Sequence, residues 1–421
     1  MVSFSDAPLE IIAEIINALQ DNISALEACS QTCSLLLPLC RKYIFRSICI
    51  TSRSYPQRSL PRVIKLFGIL LSNNPGISDL VRNLEFRICW LDVEDDDVPR
   101  VLGRLHHLQS FKLANGEHMV ISWDELRQPF REALLRLIQL PSVSRLEISL
   151  ICDFPITAFF PCMNLADLTL ALLTRPTTAE SYEKDLSALE GAPQIQSFSF
   201  RLDCGPYAMH LLNARRPNGV HVVDFRNVRT LSVMADDEGD LMAIQAFIRV
   251  TEKLETLIYG GMYQDPAMAY QTSLTILAWF TRGYTGFAAS LNSSSLSTLR
   301  TLRLEHDIKD NIQDPLCGIC EEFSIISGRN VIEEIFLQVT VQADRRCKTG
   351  SEWGGLDAVL SRGFPKLRNV SLDIEICVFS PSCPEGNAFL EQVNEIPRKY
   401  FPWLSSNIQV TFKFSANLDW V

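Results

Sequence analysis

Cys317-Gly318-Ile319-Cys320 sets two thiols one helical turn apart, the spacing of half a zinc site or of a redox dithiol. Zinc needs four ligands, yet the chain has no second CxxC and none of its 6 histidines falls in an HxxxH pair. Cys347, Cys377 and Cys383 remain as thiols that only folding could bring to the first pair. Two acidic runs, Glu94-Asp95-Asp96-Asp97 and Asp236-Asp237-Glu238-Gly239-Asp240, offer the oxygen donors that hard cations prefer, but neither has the alternating spacing of a calcium loop. The second run suits the cap of a helix starting at Asp240. His106-His107 is an adjacent pair on an approach to a strand, where neighbouring side chains point to opposite faces and cannot share a ligand. GxSxG, GxxxxGK[ST] and HExxH are all absent. The residue chemistry therefore predicts no catalytic centre, no metal and no cofactor.

What remains is a chain whose elements must position surfaces rather than reagents. Of its 421 residues, 47% are hydrophobic and 21% charged, enough for a large core. Charge is acidic, 39 basic against 49 acidic residues for a net −10, which argues against general binding to nucleic acid. Arg41, Lys42, Arg46, Arg53, Arg58 and Arg62 form a local basic stretch and read as a solvated helix face and linker. The 13 cysteines are scattered and often lie in apolar runs such as Ile48-Cys49-Ile50, as expected of thiols used as small hydrophobes in a reducing compartment. Met1 to Glu10 lacks the basic start of a secretory signal, and Leu274 to Leu291 is interrupted by Arg282, Gly283 and Gly286. The expected setting is cytoplasmic or nuclear, with no membrane partner.

The first fifty residues read as three short helices. Pro8 presets a helix start, Glu10 faces the positive end of its dipole, and Ile11, Ile12, Ile15, Ile16 and Leu19 follow at helical spacing. Asp21-Asn22 breaks the first helix and caps a second, which carries Leu26 and Cys29. A third element follows Pro38 with Leu39, Tyr43, Ile44 and Ile48. Three helices in so few residues are a very small core, so exposed apolar surface for a partner to cover is expected here.

Ala7-Pro8-Leu9-Glu10-Ile11-Ile12-Ala13-Glu14-Ile15-Ile16 resembles the opening of an F-box, Leu-Pro-x-Glu followed by helical apolar spacing. Ser24 to Ser34 resembles that family's second half, and Leu37 to Ile48 the version found in F-box proteins of mushroom-type (basidiomycete) fungi. The pattern departs from the family at Ala7, where Leu is usual, and at Leu35-Leu36, where an aromatic residue is. The resemblance implies binding of a Skp-family adaptor and, through it, a cullin. The positions matching the family's adaptor contacts are Pro8, Leu9, Ile12, Ile15, Leu19 and Leu26.

Beyond a polar connector at 51–60, Leu60 to Leu71 reads as an amphipathic helix stopped at Asn73-Asn74-Pro75-Gly76. One pattern then recurs: apolar, two residues, apolar, one residue, apolar. It runs from Val81-Leu84-Phe86 through Leu108-Phe111-Leu113, Val143-Leu146-Ile148, Leu165-Leu168-Leu170, Ile195-Phe198-Phe200 and Val228-Leu231-Val233. It continues through Leu254-Leu257-Tyr259, Leu299-Leu302-Leu304 and Ile332-Ile335-Leu337 to Leu367-Val370-Leu372. Successive triplets lie at irregular spacings of 22 to 45 residues centred near 32, and helical stretches fall between, as at Asp124 to Leu140, Thr178 to Leu189 and Asp240 to Val250. This resembles a divergent leucine-rich repeat in which the usual Asn after the triplet is mostly missing. The alternative is a doubly wound α/β domain.

The expected fold is thus α/β: a three-helix F-box-like domain at 1–50, a linker at 51–60, and at 61–421 a leucine-rich-repeat-like solenoid, a curved parallel sheet with outer helices. Ala388 to Leu404 reads as helix broken at Pro397 and Pro402, with a closing strand near Phe412. In such a repeat the residue between the last two apolar positions faces the open side of the sheet: Glu85, Lys112, Glu147, Thr169, Ser199, Ser232, Ile258, Arg303, Phe336 and Ser371. With outward neighbours such as Arg87 and Arg201, this row is the expected target-binding face, Arg87, Lys112, Arg201, Arg303 and Phe336 foremost. The implied function is substrate recognition for an SCF-type ubiquitin ligase; the alternative is a ligase-independent binding scaffold.

Overall fold

The computed structural model describes residues 8–51, 62–116, 120–173, 191–216, 218–261, 284, 286–308, 316, 318–342, 352–378 and 385–420. Three helices open the chain: α1 (Leu9–Ala18), α2 (Ile23–Thr32) and α3 (Leu36–Ile44). Asn22 caps α2 as its spacing predicts, its side chain accepting from Ala25 N at 3.0 Å. The third element stops earlier than expected. Ile48 lies not on a helix but in the first strand of the sheet, β1 (Ser47–Thr51). Alternation in Ser-Ile-Cys-Ile-Thr, with β-branched residues at every other position, explains why this stretch extends rather than coils.

The remaining strands are β2 (Asn83–Ile88), β3 (Ser110–Asn115), the short β4 (Ile121–Ser122), β5 (Arg145–Ser149), the short β6 (Ile151–Cys152) and β7 (Asp167–Ala171). They continue as β8 (Ser197–Arg201), β9 (Thr230–Ala235), β10 (Thr256–Gly261), β11 (Thr301–Ile308), β12 (Glu334–Gln342), β13 (Asn369–Val378) and β14 (Thr411–Trp420). Twelve form one sheet in the order β1-β2-β3-β5-β7-β8-β9-β10-β11-β12-β13-β14, while β4 pairs with β6. The order never reverses, so the switch point that defines a doubly wound sheet is missing.

One link recurs at most of the strand-to-strand steps. The carbonyl just before a strand accepts two consecutive N–H groups from the following unit: Arg46 O takes those of Arg82 and Asn83, and Arg82 O those of Gln109 and Ser110. Glu255 O takes those of Arg300 and Thr301, and Glu333 O those of Arg368 and Asn369. After β5, β7 and β8 the chain turns away through Leu150, Leu172 and Leu202, each at positive φ. A left-handed leucine costs roughly 1–2 kcal/mol, so each turn is held by the packing around it.

All three positions of every triplet are buried. The sequence pattern thus places the core correctly, because side chains alternate along a strand and only one face is sealed. Helices lie between many of the strands: α4 (Val63–Asn73), α5 (Trp90–Val93), α6 (Asp97–Leu102), α7 (Gln128–Ile138), α8 (Gly205–Asn213) and α9 (Glu238–Val250). Further along come α10 (Phe287–Ser290), α11 (Ser293–Leu296), α12 (Ile319–Ile326), α13 (Glu352–Gly363), α14 (Glu385–Asn394), α15 (Ile396–Tyr400) and α16 (Pro402–Ser406). The helical stretch is broken at its prolines as expected, into α14, α15 and α16, and Pro397 and Pro402 each sit in the first turn of a new helix, where the missing N–H costs nothing. The helix expected over Asp124 to Leu140 is divided into a short 3-10 turn, Trp123–Glu125, and α7. The one expected over Thr178 to Leu189 lies outside the described residues.

By internal contacts the chain divides into two units, Met1–Leu168 with Arg175–Pro193 and Arg216–Val222, and Thr169–Thr174 with Gln194–Arg215 and Val223–Val421. The helical N-terminus therefore belongs to the first unit rather than standing apart at 1–50, since β1 grows straight out of α3 and pairs with β2. Among the described residues no helix is long and apolar enough to cross a membrane.

Candidate functional site

The N-terminal helices enclose a small core of Ile12, Ile16, Leu26, Leu36 and Cys40, with Leu19, Cys29, Leu39, Tyr43 and Ile44 packed around it. Tyr43 reinforces it by donating a hydrogen bond to Asn17 Oδ1 at 2.9 Å, tying α3 to α1. Two of the six matched adaptor contacts are thereby corrected. Ile12 and Leu26 are both 0% exposed and close this internal core, so they are not available to a partner. Leu19 is half-buried against the same core. Pro8, Leu9 and Ile15 are exposed.

Helical geometry shows why the apolar stripe divides. At about 100° per residue, Ile12, Ile16 and Leu19 share one flank of α1, while Ile11 and Ile15 sit one turn apart on the next. An apolar arc this wide exceeds what α3 covers, leaving Ile11 at 53% and Ile15 at 43% exposure, with Leu9 at 53% beyond the other flank. Ile23 and Leu35, at the starts of α2 and α3, are exposed as well. Ile11, Ile23 and Leu35 were not among the matched positions; Ile11 was legible as the i−4 neighbour of Ile15.

A second apolar strip lies on α4. The expected amphipathic helix instead carries apolar residues on both sides: Ile64, Phe67 and Leu71 are buried, and Val63, Leu66 and Ile69 exposed. Trp90 and Leu91 are exposed too. Beside them, Arg62, Lys65, Leu91 and the acidic run Glu94 to Asp97 line an open depression. Arg62 pairs there with Asp92 and Asp95, and Lys65 reaches Asp95 at 3.2 Å. Burial pushes the Asp95 carboxyl up, but the Asp97 N–H and the Lys65 and Arg62 charges outweigh it and hold the group below its usual range. The depression is thus filled by neutralised charge.

The sheet-face row predicted from the triplets exists. In the first unit Cys49, Glu85, Lys112 and Glu147 stand level across β1, β2, β3 and β5. Lys112 Nζ lies 3.0 Å from Glu147, and Arg87 lies 2.8 Å from Glu85. Opposite charges at facing positions stabilise the pairing. In the second unit the level row is Ser199, Ser232, Ile258, Arg303, Phe336, Ser371 and Lys413. The Arg303 guanidinium sits 5.2 Å from the centre of the Phe336 ring, a cation–π pair on the open face. Arg201, past the row on β8, is exposed.

Comparison of the chain with protein-family models and with curated proteins finds no match to either. The reading of the site therefore rests on its chemistry.

That chemistry is structural wherever carboxylates are buried. Asp240 accepts from Gly205 N at 2.6 Å and Asp236 N at 3.0 Å, Glu322 from Gly286 N and Ala288 N, each at 2.7 Å, and Asp357 from Trp403 N and Leu404 N, each at 3.0 Å. Each acid reaches from one helix to the start of another and satisfies N–H groups that a helix leaves open. Asp203, Asp236 and Asp240 converge within 4.8 Å. Three carboxylates at this range suit a hard cation, but both oxygens of Asp240 already hold backbone N–H groups, so the cluster is the knot between α8 and α9. As the acidic run suggests, Asp237 caps α9, accepting from Asp240 N at 2.7 Å, though the helix begins at Glu238. Sequence reasoning missed Asp203, whose only signal is its place just after a triplet.

The described cysteines are free thiols. Burial pushes Cys162 and Cys204 up to about 12, which leaves them unreactive small hydrophobes. Cys317 of the CxxC lies outside the described residues, as do Cys347 and Cys383. His106 and His107 go separate ways, to Arg136 at 2.6 Å and to Asp79 at 3.8 Å.

Proposed function

We propose that this chain is the substrate-recognition subunit of an SCF-type ubiquitin ligase. The N-terminal helices dock a Skp-family adaptor and through it a cullin, and the sheet face holds a target protein. Catalysis belongs to other subunits; this chain supplies position and effective concentration. The observation that carries the reading is the exposed pair Ile11 and Ile15 on one flank of α1, with Leu9 exposed beyond the other, on a three-helix unit whose own core is already closed by Ile12, Ile16 and Leu26. Apolar side chains left outside a complete core are what a partner covers. The F-box resemblance supplies the identity of that partner. The leucine-rich-repeat reading of the sheet is supported by the unreversed strand order and by the carbonyl that recurs before the strands.

Incubating the full chain with a purified Skp-family adaptor tests this. Wild type should retain the adaptor, and an Ile11→Asp, Ile15→Asp variant should lose it with an unchanged thermal melt. A second reading, a scaffold that no longer engages a ligase, is favoured by Leu35. It is exposed where the family pattern calls for an aromatic residue.

A further inference from the structure

The last strand of the sheet presents an open edge with an unusual sequence. Among the described residues β14 has β13 on one side and no strand on the other. Its pairing with β13 is unbroken from Asn369↔Thr411 to Val378↔Trp420. Thr411 N donates to Arg368 O, so the odd-numbered residues turn their backbone groups toward β13. The even-numbered residues, Phe412, Phe414, Ala416, Leu418 and Trp420, turn theirs to the open edge. Ten residues give about 30 Å of unpaired N–H and C=O groups, a length that sheet proteins normally blunt or cover.

The side chains divide just as cleanly. Phe412 lies 5.3 Å from the Phe401 ring, which places Phe412, Phe414, Ala416 and Leu418 on the helix side, half-buried. Thr411, Lys413, Ser415, Asn417 and Asp419 are exposed on the other face.

Written against its own reverse about Ala416, the strand is self-complementary. Lys413 meets Asp419, Phe414 meets Leu418 and Ser415 meets Asn417. Partners in this register share parity, so every outward-facing residue meets another outward-facing one, as an antiparallel ladder requires. Lys413 and Asp419 then fall at the closer, non-hydrogen-bonded positions, twice over by symmetry. Moving the centre one residue either way to Ser415 or Asn417 sets Lys413 opposite an uncharged residue. Among the described residues neither Lys413 nor Asp419 has an ion-pair partner within the chain. Head-to-tail addition through β1 offers only Ser47–Thr51, without a charge to answer either.

We infer that β14 is a self-association edge: two copies of this chain pair antiparallel through it about a twofold axis at Ala416, with Lys413 of each copy facing Asp419 of the other. The inference is independent of the ligase reading, since it involves no residue of the N-terminal helices.

Sedimentation equilibrium of the full chain over a range of concentrations tests it. Wild type forms a dimer. Lys413→Asp and Asp419→Lys each place like charges at both symmetric contacts and weaken the dimer by about tenfold or more. The Lys413→Asp, Asp419→Lys double variant restores it. Ala416→Pro abolishes it with little change in thermal melt, because the lost N–H points to the open edge rather than to β13. A monomer at every concentration, species larger than a dimer, or association indifferent to the single reversals or not recovered by the double one overturns the inference.

Discussion

The N-terminal helices and the sheet use apolar residues in opposite ways. In the sheet every triplet position is sealed, whatever the residue: leucine, isoleucine, valine, phenylalanine or Tyr259. In the helices a comparable apolar density closes one small core and leaves Leu9, Ile11, Ile15, Ile23 and Leu35 outside. Each strand has a paired neighbour and shares one sealed face with it, whereas a three-helix core this small leaves part of its apolar arc uncovered. The difference separates apolar residues that hold the fold from apolar residues left exposed, although both look the same in a list of hydrophobic positions.

The largest effect that would break this contrast belongs to the sheet's second unit. Phe198, Phe200, Phe225 and Phe247 form one aromatic cluster, with Phe198 and Phe247 rings 4.8 Å apart. Phe198→Ala should cost about 3–5 kcal/mol in denaturant unfolding. A loss below about 1 kcal/mol would mean the triplets are not the core.

Next comes the seam between helices. Asp357→Ala orphans the Trp403 and Leu404 N–H groups and should cost about 1–3 kcal/mol, read by the same unfolding. Asp240 sharpens the point through pH. Burial is the main cause that pushes its carboxyl up to about 7, against the hydrogen bonds from Asp236 and Gly205 that lower it. A raised carboxyl means the folded chain holds more protons than the unfolded one between the ordinary value of 3.8 and about 7. Stability from this group is therefore greatest below that window, falls as pH rises through it, and is level above it. Asp240→Asn should flatten the loss seen in melts between the two ends of the window.

The hook gives a smaller stability effect but the sharper contrast. Leu26→Ala should loosen the N-terminal helices, seen as faster amide exchange over 9–44, whereas Leu9→Ala should leave exchange unchanged. Equal effects would erase the distinction between inner and outer apolar residues. Smallest of all, Lys112→Ala on the sheet face should change stability by at most about 0.5 kcal/mol, because its pair with Glu147 is half in solvent.

The sequence made the sheet legible because period-two burial repeats in unit after unit, and an error in one triplet is corrected by the others. The level rows Glu85 to Glu147 and Ser199 to Ser371 follow from the same rule. The helical hook was less legible for the opposite reason. A wide apolar arc fixes that α1 is half-buried but not which flank, and a match to a family pattern by position cannot tell the buried Ile12, or Leu26 on α2, from the exposed Ile11. The start of β1 was hidden because Tyr43, Ile44 and Ile48 continue helical spacing past the point where Ser47-Ile48-Cys49-Ile50 begins to alternate. The buried acids had no local signal at all, since Asp357 meets Trp403 only through folding.

The measurement that bears most directly on the central claim is adaptor binding by the full chain, wild type against Ile11→Asp with Ile15→Asp, at matched thermal stability. Retention by wild type and its loss in the variant is the predicted result. Retention by both, or by neither, would contradict the assignment of the outer row of α1 as the docking surface.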